Sequence, residues 1–245
     1  MTRLSRMAVL ALAAGLLAPL GAATAQAARP TVAIMYFNNN VFTKDARDYD
    51  GLSKGVADFL ITEMSSNASI RVVERDQVQR LIDEQKLVGA GQVDRETAVK
   101  VGKLLGAQHM IFGGFTADPK GNFRIDARAV NVETGAIEFT DRVQDQSDNV
   151  LGLIGQLATR LNAGLKLPPS ATRTGDVGAP PGAQQAGAPS PTKLPMRVAV
   201  LYGKALDMAD KGDKVRAVEL FGAVLKEFPD YTPARTGMAK VKPGA

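Results

Sequence analysis

Residues 70–115 constrain the fold of this chain more than any other stretch, because the spacing of their apolar residues changes along the way. Short apolar runs at Ile70–Val73 and at His109–Phe115 are typical of strands. Between them lie two sets of apolar residues at helical spacing: Val78, Leu81 and Ile82, then Ala98, Val101, Leu104 and Leu105. The stretch therefore predicts strand, helix, helix and strand, and it predicts a scaffold, since no residue in it suggests catalysis.

The flanking residues complete the same domain. The continuous apolar run Val32–Phe37 predicts a strand that is covered on both faces. Alternating apolar residues at Phe123–Ala129 and Ile137–Phe139 predict two strands, joined by a hairpin turn at Glu133–Gly135. Apolar stripes predict one helix from Leu52, Val56, Phe59, Leu60 and Met64, and a last one from Val150, Leu153, Ile154, Leu157 and Leu161.

These elements predict an α/β domain at residues 28–167. We expect a mixed β-sheet packed with helices, in the order β-α-β-α-α-β-β-β-α. Strands joined through helices should pair in parallel, whereas the late hairpin must be antiparallel. A hydrophobic content of 45% is enough to form a core without metals or disulfides.

The first 27 residues predict a cleaved secretory signal peptide. Arg3 and Arg6 form a basic start, Met7–Leu20 is apolar, and Ala25–Ala27 is a small-x-small cleavage pattern. A membrane anchor is disfavoured, because glycine and proline interrupt a short apolar segment. The chain has no cysteine, so we expect neither disulfides, nor thiolate metal sites, nor a lipid anchor on cysteine. An exported chain without disulfides fits a bacterial periplasm.

Two further segments follow the α/β domain. Residues 168–195 hold seven prolines and four glycines, which predicts an unfolded linker and a loose tether. Residues 196–245 resemble a single tetratricopeptide-type helical hairpin, with its turn at Gly212–Asp213 and its packing positions at Ala205, Met208, Ala217 and Phe221. A single repeat cannot bury its own apolar face, so we expect the hairpin to pack on a partner or to self-associate.

The charge distribution argues against nucleic-acid binding. The net charge is +5 and the pI is near 9.5, but residues 28–167 hold 17 basic and 18 acidic residues. Only residues 193–245 are mildly basic, with 10 basic and 6 acidic residues, and they lack interleaved aromatic residues. We therefore expect no nucleic-acid partner.

No motif for catalysis or cofactor binding stands out, and both common phosphate-binding glycine loops are absent from the sequence. His109 is the only histidine, and one imidazole alone makes neither a zinc site nor a catalytic pair, so a structural role is expected. Gly113–Gly114 is expected to allow close backbone approach or a bulge, not to cradle a ligand. Asp45, Asp48 and Asp50 could bind a cation, but they lack EF-hand spacing, and a solvated loop is favoured. We predict no catalytic, cofactor-binding or metal-binding residues, no cofactor and no enzymatic activity.

The sequence Glu74-Arg75-Asp76 lies where a predicted strand meets a predicted helix. We expect Asp76 to cap this helix and Arg75 to form a charged pair across an interface. Capping is favoured over catalysis.

Four segments carry a family resemblance: Val72–Val78, Leu81–Gln85, Ala98–Ala107 and the strand with Gly113–Gly114. Together they resemble the curli production assembly/transport component family of the CsgG type, over about residues 30–166. That family is related to the N-terminal fold of TolB and to lipoprotein activators of penicillin-binding proteins. The resemblance implies a periplasmic α/β domain at the outer membrane, which in the founding branch forms a ring that exports amyloid subunits.

The leading hypothesis is a non-enzymatic periplasmic module for cell-envelope assembly or for secretion of curli-like surface subunits. Its expected partners are cell-envelope proteins and further copies of itself in a ring-type homo-oligomer, with peripheral association with the outer membrane. Two alternatives stay open: an outer-membrane secretion-channel subunit, for which long alternating segments are lacking, and a periplasmic activator of a cell-wall enzyme. A small-ligand or cation-binding enzyme is the least favoured interpretation.

Overall fold

The computed structural model describes residues 29–86, 93–118, 121–146, 148–169 and 193–242. The predicted signal peptide (residues 1–27) and residues 170–192 of the predicted linker lie outside these ranges.

The elements predicted for the α/β domain form in the predicted order. The strands are β1 (Thr31–Asn39), β2 (Arg71–Val72), β3 (His109–Ala117), β4 (Asn122–Asn131) and β5 (Ile137–Gln146). The helices are α1 (Leu52–Ser65), α2 (Arg75–Gln85), α3 (Arg95–Leu105) and α4 (Val150–Gly164). The sequence did not predict the short 3-10 helix Ala46–Tyr49, which buries none of its residues and so leaves no apolar pattern.

The strands form one mixed sheet in the order β2-β1-β3-β4-β5. β1 pairs in parallel with β2 and β3, while β4 pairs antiparallel with β3 and β5. The predicted fold class, a mixed sheet packed with helices, is therefore confirmed. One edge strand, β2, has two residues, whereas the other, β5, has ten.

Alternate side chains of β1 enter two separate cores. Val32 and Ile34 belong to the core shared with α1 and α4, whereas Ala33 and Met35 belong to the core shared with α2 and α3. All four are at most 1% exposed. The prediction that this strand is covered on both faces is confirmed, and it explains why its sequence is continuously apolar.

Gly113 and Gly114 of β3 lie where neighbouring groups approach closely, as predicted. A Cβ atom on Gly113 would lie 2.0 Å from the carbonyl oxygen of Asp126, and one on Gly114 would lie 2.3 Å from the side-chain nitrogen of Asn40. The two glycines therefore serve strand packing, because any side chain there would collide with β4 or with the end of β1.

Three C-terminal helices follow residue 195: α5 (Met196–Asp210), α6 (Lys214–Glu227) and α7 (Thr232–Val241). The turn between α5 and α6 is where the sequence predicted it. Gly212 there has a φ of 79°, and the side chain of Asp213 caps α6 by accepting a hydrogen bond from the backbone N–H of Arg216. The predicted hairpin is thus present, and α7 extends it by a helix that packs on α6.

The C-terminal helices lie against the α/β domain. Tyr202 of α5 stacks on Phe59 of α1, with ring centroids 5.2 Å apart, and both rings belong to the core of the domain. The sequence predicted two loosely tethered units, whereas α5 packs along α1. The hairpin therefore covers its apolar face within the chain. Among the described residues, no helix has the length and apolar character needed to cross a membrane.

Candidate functional site

A cluster of charged side chains, the joint cluster, lies between the α/β domain and the C-terminal helices. Its members come from α1, α2, α5 and α7: Lys54, Asp58, Arg75, Asp76, Asp207, Asp210 and Lys240.

Arg75, the first residue of α2, is the centre of the joint cluster. It is 6% exposed, and its guanidinium donates to both carboxylate oxygens of Asp210 on α5, at 2.7 and 3.1 Å. It also donates to Asp76 at 2.7 Å, and its Nε lies 3.5 Å from Asp58. Burial acts to lower the pKa of Arg75, but the bonds and charges of these carboxylates raise it above its usual value. The predicted pair across an interface is present.

The prediction that Asp76 caps α2 is wrong. The residue at the capping position is Glu74, whose side chain makes no capping hydrogen bond. Asp76 lies in the first turn and accepts from Arg75 and, at 3.0 Å, from Lys240 of α7. Burial acts to raise the pKa of Asp76, but the bond from Lys240 and the charge of Arg75 bring it below its usual range. Two cations thus hold this carboxylate, because charge-assisted bonds are stronger than a bond from a neutral backbone N–H.

Lys54 of α1 reaches two carboxylates of α5. Its ammonium lies 2.9 Å from Asp207 and 2.8 Å from Asp210, and 5.6 Å from the ring centroid of Tyr36. Burial acts to raise the pKa of Asp207, but bonds from Lys211 and Lys54 bring it below its usual range. Each of the two aspartates is therefore held by a cation of the domain.

Asp58 of α1 is the member of the joint cluster that contacts Tyr202 of α5. It accepts a hydrogen bond of 2.6 Å from the hydroxyl of Tyr202. Burial raises the pKa of Asp58 although the bond from Tyr202 and the charge of Arg75 oppose this. Burial, together with the charge of Asp58, likewise raises the pKa of Tyr202.

A cleft of about 610 Å³ opens beside the joint cluster, between α1, α2 and the C-terminal helices. Among its lining residues are Thr62, Glu74, Leu206, Thr236 and Lys240. The carboxylates of the joint cluster that face the cleft are already held by cations or by Tyr202. The arrangement therefore uses its charges to fix the C-terminal helices on the domain.

The other residues considered in the sequence take structural positions. His109 of β3 contacts Glu138 of β5 through its Nδ1 atom. Asp50 accepts from the side chain of Asn39 at 2.8 Å. Within the described ranges, no group of three or more histidine, cysteine, aspartate or glutamate side chains is placed to hold a metal ion.

Sequence reasoning missed five members of the joint cluster: Lys54, Asp58, Asp207, Asp210 and Lys240. Lys54 and Asp58 are four residues apart on α1, and Asp207 and Asp210 are three apart on α5. Such spacing puts each pair on one helix face, which is a signal that a search for charged pairs beside apolar stripes would have detected. The pairing between the helices is a tertiary property, since Arg75 and Asp210 are 135 residues apart.

A family model, described as curli production assembly/transport component CsgG, matches residues 17–118. This match confirms the resemblance predicted from the sequence. It ends just after β3, so β4, β5 and all helices from α4 onward lie beyond it. No curated protein matches the chain in sequence.

Several solved structures are similar to part of the chain. The LpoB C-terminal domain from Salmonella enterica is 14% identical, with a TM-score of 0.35, covering 49% of this chain and 84% of that one. Lipoprotein GNA1162 from Neisseria meningitidis is 14% identical, with a TM-score of 0.37, covering 56% and 96%. A PelC dodecamer from Paraburkholderia phytofirmans is 9% identical, with a TM-score of 0.33, covering 56% and 89%. These similarities are distant and say nothing about function.

Proposed function

We propose that this chain is a non-enzymatic module of the bacterial cell envelope. It acts in the periplasm after removal of residues 1–27, by binding envelope proteins and further copies of itself during the assembly or secretion of surface subunits. One observation carries the proposal: residues 17–118, which include β1 to β3 and α1 to α3, match a family described as a production assembly and transport component.

One structural feature, the joint cluster, supports a role in binding. The joint cluster connects the domain to the C-terminal helices, and the buried Arg75 alone contacts three carboxylates. Such a network favours one fixed arrangement of the two parts. A rigid arrangement suits a module whose working parts are surfaces, because preorganised surfaces bind with less loss of conformational entropy.

Fractionation of cells tests the proposal directly. The full chain, tagged at its C-terminus, is expressed in a Gram-negative bacterium, and its intact mass is measured in periplasmic, membrane and cytoplasmic fractions. Cells are treated with a membrane-permeable amine cross-linker before lysis, and the adducts are identified by mass spectrometry. A matched variant lacking residues 2–27 serves as the control for export.

We expect a chain cleaved near Ala27 in the periplasmic fraction, cross-linked to envelope proteins, and neither result for the control variant. A full chain retained in the cytoplasm would refute the proposal. A processed chain found only in the outer membrane and resistant to carbonate extraction would refute it in favour of a channel subunit.

A further inference from the structure

Helices cover the two faces of the sheet unequally. α1 and α4 pack on the face that carries Phe123, Ile125 and Val143, so this face is buried as far as β5. On the other face, α2 and α3 share a core with β1, β3 and the Val130 end of β4. The remainder of that face, on β4 and β5, carries no described helix, and its polar side chains are half-buried or exposed.

The uncovered area carries three arginines around one aspartate. Arg124, Asp126 and Arg128 alternate with the buried residues of β4 and therefore point to this face. Arg142 of β5 is in register with Asp126, which sets it diagonally between Arg124 and Arg128. The basic sheet face, as we name this surface, comprises Arg124, Asp126 and Arg128 of β4 and Thr140, Arg142 and Gln144 of β5.

Two of these arginines have no partner in the described part of the chain. The Nε atom of Arg124 donates to Asp126 at 2.8 Å, so these two charges balance. The guanidinium groups of Arg128 and Arg142 form no hydrogen bond or ion pair with a described residue, and both residues are exposed. A domain that is neutral in sum thus presents unpaired positive charge on one surface.

The positive charge continues onto the adjoining helix. Exposed Lys100 and Lys103 of α3 lie on the same side of the sheet and line a shallow depression with Gly135 of the β4–β5 turn. Glu96 is the acidic residue lining this depression. A partner that spans both areas would meet mainly positive side chains, which favours an acidic partner.

The outer edge of β5, which could bind a partner by pairing with an added strand, is a less suitable binding surface than the sheet face. The backbone N–H of Arg142 donates to the carboxylate of Asp141 at 2.7 Å, and its carbonyl accepts from Arg160 at 3.4 Å. The N–H of Gln146 donates to Asp145 at 2.8 Å. These local bonds occupy backbone groups that a further strand would need, a common way to protect a sheet edge.

We propose that the basic sheet face docks an acidic surface of another envelope protein, whose carboxylates pair with Arg128 and Arg142. This inference rests on the proposed function and names the partner's chemistry. A folded protein fits better than a lipid surface, because Asp126 stands among the arginines. A structured partner can match such a mixed pattern charge by charge, whereas uniformly anionic headgroups would gain no attraction at the balanced Arg124–Asp126 pair.

Site-specific photo-cross-linking in cells tests the inference. A photoreactive benzoylphenylalanine replaces Thr140 on the basic sheet face or, as a control position, exposed Gln156 on α4. The Thr140 probe is combined with Arg128→Glu/Arg142→Glu, and separately with Arg47→Glu/Arg71→Glu, which reverses two exposed arginines elsewhere. Circular dichroism verifies that both variants remain folded.

We expect a protein adduct at Thr140 whose mass-identified partner has an acidic contact surface. Its yield should fall roughly ten-fold with Arg128→Glu/Arg142→Glu, since two attractive pairs become repulsive, and stay unchanged with Arg47→Glu/Arg71→Glu. A phospholipid adduct, no adduct, or an adduct insensitive to the reversal would overturn the inference. In each of these three cases, protein adducts at Gln156 would still support the proposed function, so failure of the inference is distinguishable from failure of the proposed function.

Discussion

At Gly203 the backbone of α5 lies against the backbone at the start of α1. A methyl group added at this position should therefore push the two helices apart. A Cβ atom on Gly203 would lie 2.0 Å from the carbonyl oxygen of Gly51 and 2.5 Å from its carbonyl carbon. Both atoms belong to backbone, so no flexible side chain can move aside. Gly203 lies inside a regular helix, and alanine is therefore compatible with its conformation. The change Gly203→Ala tests space alone.

The magnitude follows from the separation that alanine would enforce. Ordinary contact begins at 3.4 Å, so α1 and α5 would have to move apart by about 1.4 Å at this point. Overpacking of this kind costs about 1–3 kcal/mol, and the gap would weaken the stacking of Tyr202 on Phe59. Alanine regains up to about 1 kcal/mol through its higher helix propensity. We expect Gly203→Ala to lower the free energy of unfolding by about 1–2 kcal/mol.

Urea titration followed by far-UV circular dichroism measures this change, and thermal unfolding checks it at about 2–4 °C per kcal/mol. The matched control is Gly222→Ala on α6. A Cβ atom there would meet Met238 at 3.7 Å, an ordinary contact. Alanine has a higher helix propensity than glycine and meets no steric clash here. Gly222→Ala should therefore raise the free energy of unfolding by about 0.5–1 kcal/mol.

The difference in free energy of unfolding between Gly203→Ala and Gly222→Ala decides whether the two backbones are in contact. If Gly203→Ala were as stable as Gly222→Ala, the backbones of α1 and α5 would not be in contact in solution. The C-terminal helices would then not be docked on the domain in the way that the joint cluster requires.

Two further changes test the joint cluster itself. Arg75→Met should lower the free energy of unfolding by about 3–5 kcal/mol, because Asp58 and Asp210 lose their buried guanidinium; a urea titration showing a loss below about 1 kcal/mol would contradict this. Asp58→Asn should change the pH dependence of stability. Burial raises the pKa of Asp58 in the folded chain. The wild-type chain should therefore lose stability relative to Asp58→Asn as pH rises from about 4 through that raised pKa. Urea titrations of the wild-type chain and of Asp58→Asn across this pH range test this. If the stability of the wild-type chain relative to Asp58→Asn stayed constant or increased with pH, the reasoning would be refuted.

The strands and most helices were predictable because their signals are local. The run Val32–Phe37 and the alternation at Phe123–Ala129 each reflect how many faces of one strand are buried. α7 was missed because Ala234 is its one buried residue, which leaves no apolar period to detect. Its proline in the first turn is compatible with a helix start, but proline at one position does not by itself indicate a helix.

The capping prediction for Asp76 failed for a different reason. Its position before an apolar helix fits a cap by sequence, but Lys240 reaches it from α7, which is 164 residues away. A charged partner from a distant element changes the role of a residue without changing its local pattern.

The sequence by itself determined the order of elements, the mixed sheet and the lack of cysteine chemistry, because periodicity and composition are properties of short windows. Only the tertiary structure decided that α5 docks on α1 and that Arg75 meets Asp210. It also decided that Arg128 and Arg142 share an uncovered face. These features depend on helices and strands meeting across long chain separations, and no local pattern encodes which of several compatible surfaces will meet.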